Sequence, residues 1–340
     1  MFQTVQNLLP YYVNRDDFRD PRHEDKIGQY LEQLAKLSEK IEGKTKHYDA
    51  ELKSLGATFD EDVQAAQQSF TKGAHNQAFF YVEEVLATCF SCHASRSTES
   101  DSQFADITEK IDWSQVEPFM RPRFLTVSRQ FDKALTEYEN LILNRGLSIA
   151  EVLHYDPFLN YLVLAIRVKN DKARALKTLQ KALKKPYPRI LKNDLKVWSD
   201  SLKDIVESDK KTAKLERAEE FIEKGRSLAE YPRDQSGIVY HIEASRILKE
   251  LLVTVEKSPT QAEVAYLLGL TELVIGSPFF GLQAQRYFET AIRKKPGSPV
   301  ARRAFDLYEE NLIFGYSGSS GLHLPASEKE KLEELRKKAQ

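Results

Sequence analysis

Residues 262–296 read AEVAYLLGLTELVIGSPFFGLQAQRYFETAIRKKP. Apolar side chains recur here every three to four residues, the period of a helix buried on one side. The run breaks at Gly276–Pro278 and resumes, so the stretch is two helices joined by a turn. Small residues stand at Gly269 and Ala284, where paired helices must approach closely, and Phe288 is placed to fill the space between them. Ala291 continues the second helix, and Pro296 starts the next turn. The same intervals return more weakly in residues 156–188, where Ala175, Leu179 and Ala182 repeat the second-helix spacing and prolines follow.

Working outward, the whole chain reads as helical. Ile27, Tyr30, Leu31, Leu34, Leu37 and Ile41 form one stripe over residues 22–43. Further helices are expected at 44–54, at 59–72 and from about 75 to 93. Two more are expected at 214–228 and 238–256. The chain closes on a Gly/Ser loop and a short charged helix, with a capping box expected from Ser327 to Glu330. No stretch alternates apolar and polar residues over a strand's length. The fold class is therefore all-α. Its organisation is an N-terminal helical domain at 1–97, a polar and acidic linker at 98–112, helix pairs over 113–320, and a loop with a capping helix at 321–340.

Composition limits the function. Lys and Arg number 50 and Asp and Glu 51, a net charge of −1. Such balance gives no general attraction to nucleic acid or to an anionic membrane. No run approaches the roughly 20 apolar residues of a membrane-spanning helix. The first residues, MFQTVQNLLPYYVNRDD, lack a basic start, and Pro10 interrupts their apolar run, so they do not read as a secretory leader. There is no Walker sequence, no dinucleotide fingerprint, no H-E-x-x-H and no G-x-S-x-G.

Both cysteines of the chain, Cys89 and Cys92, fall in EEVLATCFSCHASRS, residues 83–97, and His93 follows directly. On a helix, positions three apart face the same side. Two thiols so placed can add across two vinyl groups of one porphyrin, and the adjacent imidazole can bind its iron. Cys-x-x-Cys-His is the attachment signature of c-type haem. Other chemistries meet obstacles. A redox pair of thioredoxin type sits at a helix N-terminus after a strand, whereas Cys89 follows a long helical run. A structural zinc site takes four ligands, and these residues supply three. Two inert buried thiols remain a plain alternative. Phe79 and Phe90 are the aromatic candidates for a haem pocket.

The N-terminal helices, with the motif late on the last of them and Arg96 soon after, resemble class II cytochromes c of the cytochrome c′ type over residues 20–97. The helix-pair pattern of 262–296 resembles the tetratricopeptide (TPR) repeat, with about three extra residues in the turn. The combination is similar to exported monohaem cytochromes of Gram-negative bacteria. What these resemblances imply is one covalent haem c on Cys89 and Cys92, His93 as proximal ligand, and an open sixth position. They also imply periplasmic localisation, with the sequence a mature form that lacks its leader. The expected function is single-electron transfer, with the TPR-like half docking a protein redox partner and no nucleic acid. An alternative is an interaction scaffold in which haem is structural or senses a small gas. Peroxidase activity is set aside, because no paired acid and base flank the motif.

For the sixth ligand the candidates are His47, on an earlier helix that can fold back, and Met120, beyond the linker. His75 lies roughly 27 Å from His93 if the helix between them is unbroken. The basic run KALKKPYPRILKNDLK at 181–196 is a candidate surface for an acidic partner. The loop GYSGSSGLHLP, with His323, is weighed as a backbone anion nest against a plain surface loop.

Overall fold

The computed structural model describes residues 2–13, 15–45, 50–94, 113, 116, 118–144, 146–208, 213–231, 234–255, 258–276, 283–318 and 321–340. It is 82% helical, with 17 α-helices among the described residues. The fold is all-α. Among those residues no helix is long and apolar enough to cross a membrane. Two compact units divide between Leu164 and Ala165.

The first unit holds α1 (Phe2–Val13), α2 (Arg15–Arg19), α3 (Glu24–Thr45), α4 (Ala50–Thr71), α5 (His75–Ala94), α6 (Met120–Val127), α7 (Phe131–Asn144), α8 (Ile149–Tyr155) and α9 (Pro157–Leu162). Of the expected stripe on α3, Ile27, Leu31 and Leu34 are buried, the first two wholly enclosed, while Tyr30, Leu37 and Ile41 are half-buried along its edge. Each wholly enclosed side chain contributes about 1.5–3 kcal/mol. The two helices expected at 44–54 and 59–72 are corrected to one, α4, of 22 residues. Gly56 lowers its intrinsic helicity by about 1 kcal/mol. The unbroken stripe of Leu55, Phe59, Val63, Ala66 and Phe70 is buried along its length and outweighs that cost.

Helices α3, α4 and α5 run up, down and up. Gly28 of α3 faces Phe70 of α4. Further along, Ala35 O accepts from Gln64 Nε2 at 3.2 Å, and Ser38 Oγ donates to Asp60 Oδ1. At the turn into α5, Phe70 stacks on His75 with ring centroids 4.6 Å apart. Helix α1 carries Pro10 on its exposed side and buries Leu8, Leu9 and Tyr12. These join Phe18, Ile27, Leu31, Phe70, Phe79, Val82, Val116 and Phe124 in one core. Val116 and Phe124, which the sequence places with the helix pairs of 113–320, thus pack with the N-terminal helices. The linker 98–112 lies outside the described residues.

The second unit begins within a π-helical turn, Val163–Val168. It continues with α10 (Lys172–Ala182), α11 (Arg189–Glu207), α12 (Lys214–Leu228), α13 (Ile238–Thr254), α14 (Gln261–Ile275), α15 (Gln283–Lys294), α16 (Pro299–Tyr316) and α17 (Ala326–Ala339). From α12 onward each helix packs on its successor, and α11–α13, α12–α14, α14–α16 and α15–α17 also touch. This is the contact pattern of stacked helix pairs, each burying the face its neighbour leaves open. Gly269 lies against Phe288 so closely that a Cβ there would stand 2.3 Å from the ring.

Two details differ from the sequence reading. Helix α17 starts at Ala326 with Pro325 as its N-cap, so Ser327 falls inside the first turn instead of capping it. The Gly/Ser loop holds a two-residue antiparallel ladder, Ser317–Gly318 with Gly321–Leu322. His323 N donates to Tyr316 O at 3.1 Å beside it.

Candidate functional site

Helix α5 runs without a break from His75 to Ala94. Its last two turns carry Cys89, Cys92 and His93, with the two cysteines one turn apart. Cys89 is half-buried and its sulfur is a thiol, not half of a disulfide. It packs, with Ile41 and Val5, against the cluster of Leu34, Ala35, Phe59, Val63 and Val85. The side chains of Phe90, Cys92 and His93 lie outside the described residues. So does His47 altogether; α3 ends at Thr45 and α4 begins at Ala50.

The up-down-up course gives the motif a definite address. His75 marks one end of α5, where it stacks on Phe70. The motif marks the other, where Cys89 packs on the same cluster of Leu34, Ala35, Phe59, Val63 and Val85 as Ile41 of α3. The unbroken helix sets His75 and His93 roughly 27 Å apart, as the spacing expected. Two other candidates do not gather at Cys89. Phe79 lies ten residues earlier, roughly 15 Å along the axis. It stacks on Tyr12 at 4.8 Å and meets Phe18 edge-on at 5.4 Å. Met120 opens α6 and packs on that same aromatic core, not on the cluster that holds Cys89.

Two polar features lie near the motif's end of the bundle. Ser38 is fully enclosed and bonds both Ala35 O, at 2.8 Å, and Asp60. This node ties α3 to α4 at the level of the Cys89 cluster. On α5, burial raises the pKa of Glu84, and the neighbouring charge of Glu83 adds to the shift.

The residues present fit haem c by the chemistry of the donor set. Two thiols sit three residues apart on one helix, an imidazole follows the second, and the first cysteine packs on an apolar cluster. Cys89 and Cys92 would hold the group, and His93 would bind its iron.

Sequence reasoning missed a second polar cluster, in the unit beginning at Ala165. Glu272 of α14 is buried and accepts from Arg167 Nη1 at 2.9 and 3.3 Å and from Ser245 Oγ at 2.9 Å. Burial raises the Glu272 pKa, but the charges of Arg167 and Lys249 and these hydrogen bonds outweigh it and leave the carboxyl lowered. Glu243, equally enclosed, pairs with Arg246 at 2.7 Å and Lys172 at 3.2 Å. The available signal was a lone acid in the apolar run LLGLTELVIG. The basic run 181–196 presents Lys181, Lys184, Arg189 and Lys196 to solvent while burying Tyr187 and Leu195.

No protein-family model, no curated protein and no solved structure matches the chain.

Proposed function

We propose that the chain is a periplasmic monohaem c-type cytochrome, an electron carrier and not an enzyme, whose second unit of TPR-like helix pairs docks a protein redox partner. One observation carries the reading: Cys89, Cys92 and His93 share the last turns of a single unbroken helix, with Cys89 turned to an apolar cluster. When bound, haem supplies a one-electron iron couple. Cys89 and Cys92 would hold it through thioether bonds, and His93 would bind its iron. Leu34, Ala35, Phe59, Val63 and Val85 form the apolar cluster on which the first attachment point packs. The stacked pairs from α11 to α17 offer the long side surface that helical arrays use for partners.

The test is production alongside working cytochrome c maturation machinery. The expected product is red, retains haem absorbance after denaturation, and gains the mass of one haem. Cys89→Ser with Cys92→Ser abolishes that gain. His93→Ala keeps the covalent mass but alters the iron spectrum. A colourless wild-type protein of unmodified mass sinks the proposal.

A further inference from the structure

Helix α16 has two faces. Ala304, Phe305, Tyr308 and Leu312 are buried with α15 and α17. On the opposite side Asp306, Glu310, Ile313 and Phe314 recur at three- and four-residue intervals, so they share one face. With Glu309 and Ser317 they line a shallow depression of about 480 Å³. Phe314 is 71% exposed, and Ile313, Tyr316 and Leu322 are exposed nearby. Folding does not require this, because the core of the unit lies against the other face. Helices near the end of a stacked array need a polar outer surface for solubility. Apolar side chains grouped in the open mark an interaction site.

The ionisable groups lining the depression are all acids. Glu309 is paired with Arg336. Asp306 and Glu310 have no ion-pair partner among the described residues.

We infer that this face of α16 docks a basic amphipathic segment of a partner protein, whose apolar side chains cover Phe314 and Ile313 while its Lys or Arg groups reach Asp306 and Glu310. Charge favours this occupant over two others. A second copy docked through the same patch by two-fold symmetry would set these acids against their own counterparts. An anionic bilayer would meet the same repulsion. The inference deepens the docking role proposed for the second unit and does not depend on haem.

The test uses the full chain and two labelled helical peptides, both with Leu and Phe on one face. One carries Lys on the other face, and the control carries Glu. The Lys peptide is expected to bind, more weakly as salt rises, and the Glu peptide is not. Phe314→Ser, and separately Asp306→Lys with Glu310→Lys, are each expected to weaken binding about tenfold. These side chains are exposed, and far-UV circular dichroism checks that the variants fold. The inference is overturned if the Lys peptide fails to bind or binds the variants as tightly as the wild type. It is equally overturned by dimerisation that Phe314→Ser abolishes, or by Phe314-dependent binding to phosphatidylserine vesicles. A protein that proves to lack haem leaves this result standing.

Discussion

At single residues, the second unit is governed by how closely backbones pass. Gly237, at the start of α13, touches Gly225 of α12: a Cβ on Gly237 would lie 2.0 Å from the Gly225 carbonyl oxygen. Backbone cannot move aside as a flexible side chain does. Gly237→Ala is expected to cost about 3 kcal/mol, and Gly269→Ala, which presses on Phe288, somewhat less. Urea unfolding measures both. The same crossing encloses His241, which is 2% exposed and whose Nδ1 has no hydrogen-bond partner among the described residues. Burial, and then the charge of Arg226, lower its pKa from 6.5 to about 4. Its neutral form is the folded form. The associated stability is complete above pH 6.5 and is lost as pH falls towards 4, by about 3 kcal/mol in all. His241→Gln is expected to flatten the decline in urea midpoint between pH 7 and pH 4.5.

At the level of elements, the buried ion pair of Arg167 and Glu272 joins the π-helical turn to α14, with Ser245 of α13 as third member. Removing one charge leaves the other enclosed and unpaired. Glu272→Leu alone is expected to cost about 3–5 kcal/mol, and the double change with Arg167→Met much less. A double-mutant cycle in urea separates the two cases. Equal losses in the single and double variants would show that packing, not charge, holds the joint. Element boundaries were unevenly legible. The stripe on α3 and the spacing of Gly269, Ala284 and Phe288 could be read directly, since each repeats a helical period with apolar or small residues. The expected boundary between 54 and 59 is absent from α4, where Leu55 and Phe59 are both buried and carry one apolar stripe through the helix. The N-cap of α17 differs as well: Ser327 and Glu330 have the spacing of a capping box, but Pro325 already turns the chain into the helix.

Across the whole molecule, each unit has its own core and its own tryptophan, Trp113 in the first and Trp198 in the second. Trp198 is buried, and its Nε1 donates to Gln235 O at 2.8 Å. Cys89→Ser with Cys92→Ser, made in a Trp113→Phe background, is therefore expected to leave the blue-shifted emission of Trp198 unchanged. A red shift would show that the second core depends on the attachment site. From the order of residues alone came the helical class, the CxxCH spacing and the close helix pairs. These follow from periods of three and four residues, which any helix imposes on its own sequence. Folding in three dimensions assigned Val116 and Phe124 to the N-terminal core and set Phe79 and Met120 apart from Cys89. It also enclosed Arg167 with Glu272 and left Phe314 in the open. Each of these depends on which distant side chains share a space, and local spacing carries no record of partners more than 100 residues away.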